Sequence, residues 1–271
     1  MRHINMSTVA LALAVVGGAC GPDVPETDAE VLEIEVASAL VGDTYLLKIA
    51  VPPGAAGPLP AVFVLDGDNL FDVAAGWEAE QRRAGGPPAV IVGVGYGYED
   101  AYRAPCKAGR WRDLSLVAGT CETGEAPRFV EALITELVPA AEAMAPIDPA
   151  RRVLAGHSLG GRTTLWTMLQ HADDGAFAGY IAADGAAVEV FDALVTAQET
   201  ATDVPVALYH VFGGLVGLGG LAFFEEFNAR LRAADYPGLV LEVAVPPGDD
   251  HGDTQTTMFR EGMRWMLREG L

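Results

Sequence analysis

Positive charge, cysteine, serine and long apolar runs are all scarce in this 271-residue chain, and each scarcity narrows what the protein does. Lysine and arginine total 17 against 37 aspartates and glutamates, a formal charge of −20. Such a surface repels phosphate backbones and anionic headgroups, which argues against nucleic acid as a partner. The apolar run from Val9 to Val16 is far short of the roughly 18 to 20 residues that span a bilayer. Of the three cysteines, neither Cys106 nor Cys121 has a second cysteine or a histidine at ligand spacing, and no metal site is visible elsewhere. GVGYGY lacks the third glycine of a dinucleotide fingerprint, so no cofactor is implied.

What the chain does contain begins with MRHINMSTVALALAVVGGAC: Arg2, a short apolar run, then Gly17, Gly18 and Ala19. This reads as a cleaved secretory signal over residues 1–19. Cys20 resembles the acceptor of a bacterial lipoprotein, although Gly17 stands where leucine is usual. Lipidation at Cys20 would make residues 20–30 a flexible acidic tether. Ordinary secretion with a free Cys20 thiol is the alternative. The expected location is the bacterial periplasm or outer membrane, with membrane contact only through a lipid at the N-terminus. Export places Cys106 and Cys121 in an oxidising compartment, where a disulfide closing about 15 residues contributes on the order of 3 kcal/mol.

From residue 31 to 271 we expect a single domain. VLEIEVASAL and TYLLKIAVPP alternate across the turn Val41-Gly42-Asp43 and predict an antiparallel opening hairpin. PAVFVLDG, PAVIVGVGY and RRVLAGHS are nearly continuous apolar runs, the pattern of strands covered on both faces. Segments of helical period lie between them, such as PRFVEALITELV. The alternation predicts an α/β fold with a mostly parallel, doubly wound sheet. The connection from about Gly97 to Glu125 is unusually long and reads as a structured flap over the active-site edge.

Only four serines occur, and one lies in Gly156-His157-Ser158-Leu159-Gly160. This GxSxG pattern sits between a strand and a credible helix, where flanking glycines permit a sharp corner that projects Ser158 as a nucleophile. The competing reading is a tight turn without chemistry. A serine hydroxyl needs a base, and five histidines compete for the role. His3 leaves with the signal, His157 lies inside the elbow where its side chain is expected to point away from the serine, His171 ends the following helix and His210 reads as a core histidine. His251, directly after the last predicted strand, is the expected base. The acid stays open on the residues alone: Glu225 and Glu226 lie beyond a glycine stretch, Asp184 ends an earlier strand, and Asp249 and Asp250 read as solvated.

VFVLDGDNLF, GVGYGYEDAYR, LAGHSLGGRTTLWTM and PPGDDHGD together resemble the "putative esterase" family of the α/β-hydrolases, from about Val31 to Leu267. That group includes enterochelin-type siderophore esterases, S-formylglutathione hydrolases, feruloyl esterases and the antigen 85 mycolyltransferases. The resemblance implies a serine esterase acting through an acyl-enzyme on a small-molecule ester of siderophore or glycan type. It favours Glu225 in FFEEF as the acid, and the backbone amides of Asp68 and Leu159 as the oxyanion hole. The glycine stretch Gly213 to Gly220 departs from the family pattern and leaves a serine–histidine dyad open. Arg103, Lys107, Arg110 and Arg112 cluster with Trp111 in the flap, where Arg110, Trp111 and Arg112 are candidates to grip an anionic or aromatic substrate group; pairing with surface carboxylates is the competing reading. Acyl transfer by the same fold, and a surface-binding lipoprotein without turnover, are the alternative functions.

Overall fold

A computed structural model describes residues 24–98, 106, 108–185 and 188–271. The expected signal peptide, Cys20, Arg103 and Lys107 lie outside the described residues. Eight strands form one sheet in the order β1-β2-β4-β3-β5-β6-β7-β8. The strands are β1 Glu30–Ala37, β2 Thr44–Val51, β3 Leu59–Leu65, β4 Val90–Gly95, β5 Ile147–His157, β6 Gly179–Ala183, β7 Ala207–Val211 and β8 Val240–Ala244. The hairpin β1/β2 is antiparallel, β2 meets β4 antiparallel, and every later pairing is parallel.

The continuous apolar runs are explained by cover on both faces. Along β3, Ala61, Phe63 and Leu65 enter one core while Val62 and Val64 enter the other, because successive side chains in a strand point to opposite sides. The second core is closed by α1 (Gly67–Arg83) and the C-terminal helical run that begins with α8 (Asp253–Thr257). On the other face lie α2 (Arg110–Asp113), α3 (Ala126–Ala132), α4 (Val138–Glu142), α5 (Leu159–His171), α6 (Val188–Thr200) and α7 (Leu218–Ala234). None of the helices among the described residues is long and apolar enough to cross a membrane.

Two expectations about loops are refined. The tether was expected to be flexible to residue 30, yet from Val24 onward the chain lies along α1: the Pro25 carbonyl packs on Gly76, Asp28 pairs with Arg82, and Arg83 Nη2 donates to the Glu26 carbonyl at 2.9 Å. In the flap, Cys106 and Cys121 are joined by a disulfide, and α2 forms between them.

Candidate active site

Three strands that are neighbours in the sheet, β3, β5 and β6, are each followed at once by a non-glycine residue with positive φ: Asp66 (57°), Ser158 (59°) and Asp184 (48°). An L-residue held there is strained, and such strain collects where a side chain must be aimed. All three corners lie at the carboxyl edge of the sheet, the usual site edge in open α/β folds.

The Ser158 corner is made by its glycines. A Cβ on Gly156 would sit 2.3 Å from the Gly160 carbonyl oxygen, and one on Gly161 would sit 2.5 Å from the Ala183 carbonyl oxygen. With those side chains absent, Ser158 N–H donates to Ala183 at 2.9 Å and α5 begins at once. Gly160 packs against Leu65 and Asp66, so the Ser158 corner abuts the Leu65-Asp66-Gly67 corner. Leu159 and Asp68 therefore fall in the first turns of two adjacent helices, α5 and α1, where backbone amides have no carbonyl four residues back within the helix. The acidic side chain of Asp68 is turned away, accepting from the amides of Tyr96 at 2.6 Å and Gly97 at 2.9 Å.

His251 arrives on the loop after β8, as expected. Its Nδ1–H donates to Asp184 Oδ2 at 3.0 Å, and its ring lies 4.5 Å, centre to centre, from that of His157, the residue before the serine. Asp184 also accepts from Thr254 Oγ1 at 2.6 Å and, through Oδ1, from the Gly213 amide at 2.9 Å. Burial alone would raise this carboxyl. The His157 ring 3.8 Å away and the hydrogen bonds from His251, Thr254 and Gly213 outweigh it and hold Asp184 well below the ordinary carboxylate range.

Glu225, favoured as the acid, is not the residue beside His251. Helical period in FFEEF buries Phe224 and Phe227 against the core and leaves Glu225 and Glu226 exposed. The glycine stretch has a different use: Gly213 and Gly214 leave room for the backbone of Pro246 to Asp250, and their amide region holds that loop through Gly214 N–H to Pro246 O at 2.9 Å. His210 is a core histidine, packed 4.4 Å from Phe224, its Nδ1–H donating to Asn228 Oδ1 at 3.0 Å, with burial pushing its pKa down to about 4.

The flap cations are also placed differently from a substrate grip. Arg110 is buried and its Nε donates to Asp66 Oδ1 at 2.8 Å, while Arg112 pairs with Asp113 at 2.6 Å and Asp43 at 2.9 Å. Trp111 faces an open cleft of about 660 Å³, shared with Val117, Thr120, Cys121, Glu122 and, from the first turn of α5, Arg162. Sequence reasoning missed His157 and Thr254 as members of the site; the H-x-x-T spacing from His251 to Thr254, one helical turn, was the available signal.

His157, Asp184 and His251 bring three ligand-type atoms within 4.8 Å of one another. A metal does not suit them as arranged, since His157 Nε2 faces the His251 carbonyl at 2.8 Å and must carry a hydrogen there.

The sheet order, the corner serine and the histidine after the last strand define an α/β-hydrolase fold. Residues 38–204 match the family model described as "Putative esterase", and the chain belongs to that family. The chain is 31% identical over 157 residues to a ferri-bacillibactin esterase, BesA, of Bacillus subtilis (strain 168), covering 51% of each chain. It is 32% identical over 139 residues to a siderophore triacetylfusarinine C esterase of Aspergillus fumigatus, covering 46% of each. The chain thus spans about half the length of the curated relatives it matches. Among solved structures it is similar to the BES protein from Bacillus cereus, with TM-score 0.73 and 23% identity over 88% of this chain and 96% of that one.

Proposed function

We propose that this protein is a serine carboxylic-ester hydrolase working through an acyl-enzyme. Ser158 attacks the ester carbonyl, His251 takes its proton and returns it to the leaving alcohol, and Asp184 holds His251 in the tautomer that leaves Nε2 free as the base. The Asp68 and Leu159 amides stabilise the oxyanion, a contribution of several kcal/mol to lowering the barrier. The observation that carries this reading is the 3.0 Å bond from His251 Nδ1 to Asp184, with the same imidazole packed 4.5 Å, centre to centre, from the residue preceding the elbow serine. The names of the relatives support a siderophore-type ester as the substrate class. The cleft bordered by Trp111 and Arg162, one turn of α5 beyond Ser158, is the candidate place for a large acyl or alcohol group.

Export is part of the proposal, with the signal over residues 1–19 and lipid attachment at Cys20 as expected from the sequence. It is supported by the disulfide between Cys106 and Cys121, a bond that persists in oxidising compartments.

The test is an ester panel, siderophore lactones beside simple esters, run on the protein and on Ser158→Ala, with a fluorophosphonate probe to label the nucleophile. We expect turnover and labelling at Ser158 in the parent and neither in the variant. A folded parent that binds siderophores yet neither turns over esters nor labels would favour the binding-lipoprotein alternative.

A further inference from the structure

His157 stands one residue before the nucleophile and is 1% exposed, yet the reaction as described gives it no task. Its surroundings do. Nε2 lies 2.8 Å from the main-chain carbonyl of His251 and 3.2 Å from Thr254 Oγ1. A carbonyl oxygen only accepts, so Nε2 carries the hydrogen and donates it. Thr254 Oγ1 spends its own hydrogen on Asp184 Oδ2 at 2.6 Å, which leaves its lone pairs facing His157. The other ring nitrogen, Nδ1, is buried without a hydrogen-bond partner, which suits a bare nitrogen and not a second N–H. His157 is therefore set as a donor at Nε2.

The consequence is mechanical. His251 is half exposed on a loop, tied at its side chain to Asp184 and at its backbone to His157. The second tie runs to the strand that ends in Ser158, so the base is registered against its own nucleophile through one residue. We propose that His157, with Thr254, is a positioning residue that fixes the His251 loop relative to Ser158, by donating to the His251 carbonyl and completing the hydrogen-bonded surround of Asp184. This rests on the hydrolase reading above. It differs from a packing role, because the task needs a donor at Nε2 and not merely a ring-sized side chain.

Glutamine places an amide N–H at nearly the reach of histidine Nε2, whereas leucine fills similar space without a donor. Purified His157→Leu and His157→Gln are compared with the parent for kcat, KM, rate of fluorophosphonate labelling and thermal midpoint. We expect His157→Leu to lose 10- to 100-fold in kcat and in labelling rate with KM within about three-fold, as loss of sub-ångström alignment does. His157→Gln is expected to stay within about five-fold of the parent. Thr254→Val and Thr254→Ser form a second pair with the same expectation, and decide the matter if His157→Leu does not fold. Parental kcat in the donor-free variants, or donor-bearing variants no better than donor-free ones, overturns the proposal. A parent that never labels at Ser158 instead overturns the hydrolase reading, and the two failures are told apart in one experiment.

Discussion

Asp184 and Glu225 have the same chemistry at their tips and opposite surroundings. Asp184 is buried, held anionic by three donors, and in contact with His251; Glu225 is on the outer face of α7. Asparagine tolerates the left-handed backbone that Asp184 adopts, so Asp184→Asn should fold while presenting the wrong group to His251 Nδ1. We expect a fall in kcat of about 10³ to 10⁴-fold, and no change beyond two-fold in Glu225→Gln; steady-state hydrolysis of one good ester measures both. His210 tests stability at the same scale. Its folded pKa is depressed to about 4 from the ordinary 6.5, so below pH 6.5 the unfolded chain takes up a proton that the folded chain refuses. The protein should therefore lose stability as pH falls from 6.5 toward 4, by about 3 kcal/mol at the limit. Urea unfolding of the parent and His210→Gln across that window should show a shallower decline in the variant; equal slopes would remove His210 as the cause.

At the scale of elements, the flap is tied to the site through charge. Asp66 directly follows β3, its carboxyl raised by burial against the pull of Arg110, and Arg110 is the first residue of α2 within the disulfide-closed segment. Removing one member of such a pair leaves an uncompensated group in the core, so Arg110→Met should cost about 3 kcal/mol in urea unfolding, and adding Asp66→Asn should recover most of it. Equal stability of the parent and Arg110→Met would mean that the pair holds nothing. This pair also marks where the sequence stopped being informative. Strands, helices, the elbow and His251 were legible because each is a local pattern: apolar period, glycine spacing, position after the last strand. Arg110 read as a substrate contact because a guanidinium in a flap looks the same in sequence whether it faces a ligand or a buried carboxylate 44 positions away. The acid stayed undecided for the same reason: Asp184 was legible as a candidate at a strand end, but what brings it to His251 is the packing of β6 among its neighbours, which no local pattern states, and the family resemblance favoured Glu225.

For the whole molecule, the net charge of −20 acts on anything that approaches. The flap cations offer little relief, because Arg110 and Arg112 face Asp66, Asp113 and Asp43 at hydrogen-bonding distance. A substrate carrying carboxylates is thus repelled over the range of the protein's field, about 30 Å at 0.01 M salt and well under 10 Å at 0.3 M. Encounter with such an ester should become faster as salt is added, while a neutral ester of the same acyl group has no net charge for that field to act on. We therefore expect kcat/KM for a carboxylate-bearing ester to rise several-fold between 0.01 and 0.3 M sodium chloride, with the neutral ester changing by less than two-fold. The opposite slope for the anionic ester would mean that cations at the cleft, Arg162 on α5 among them, dominate the field that the substrate meets. That outcome would move the origin of substrate selection from the molecule's global charge to the wall of the cleft.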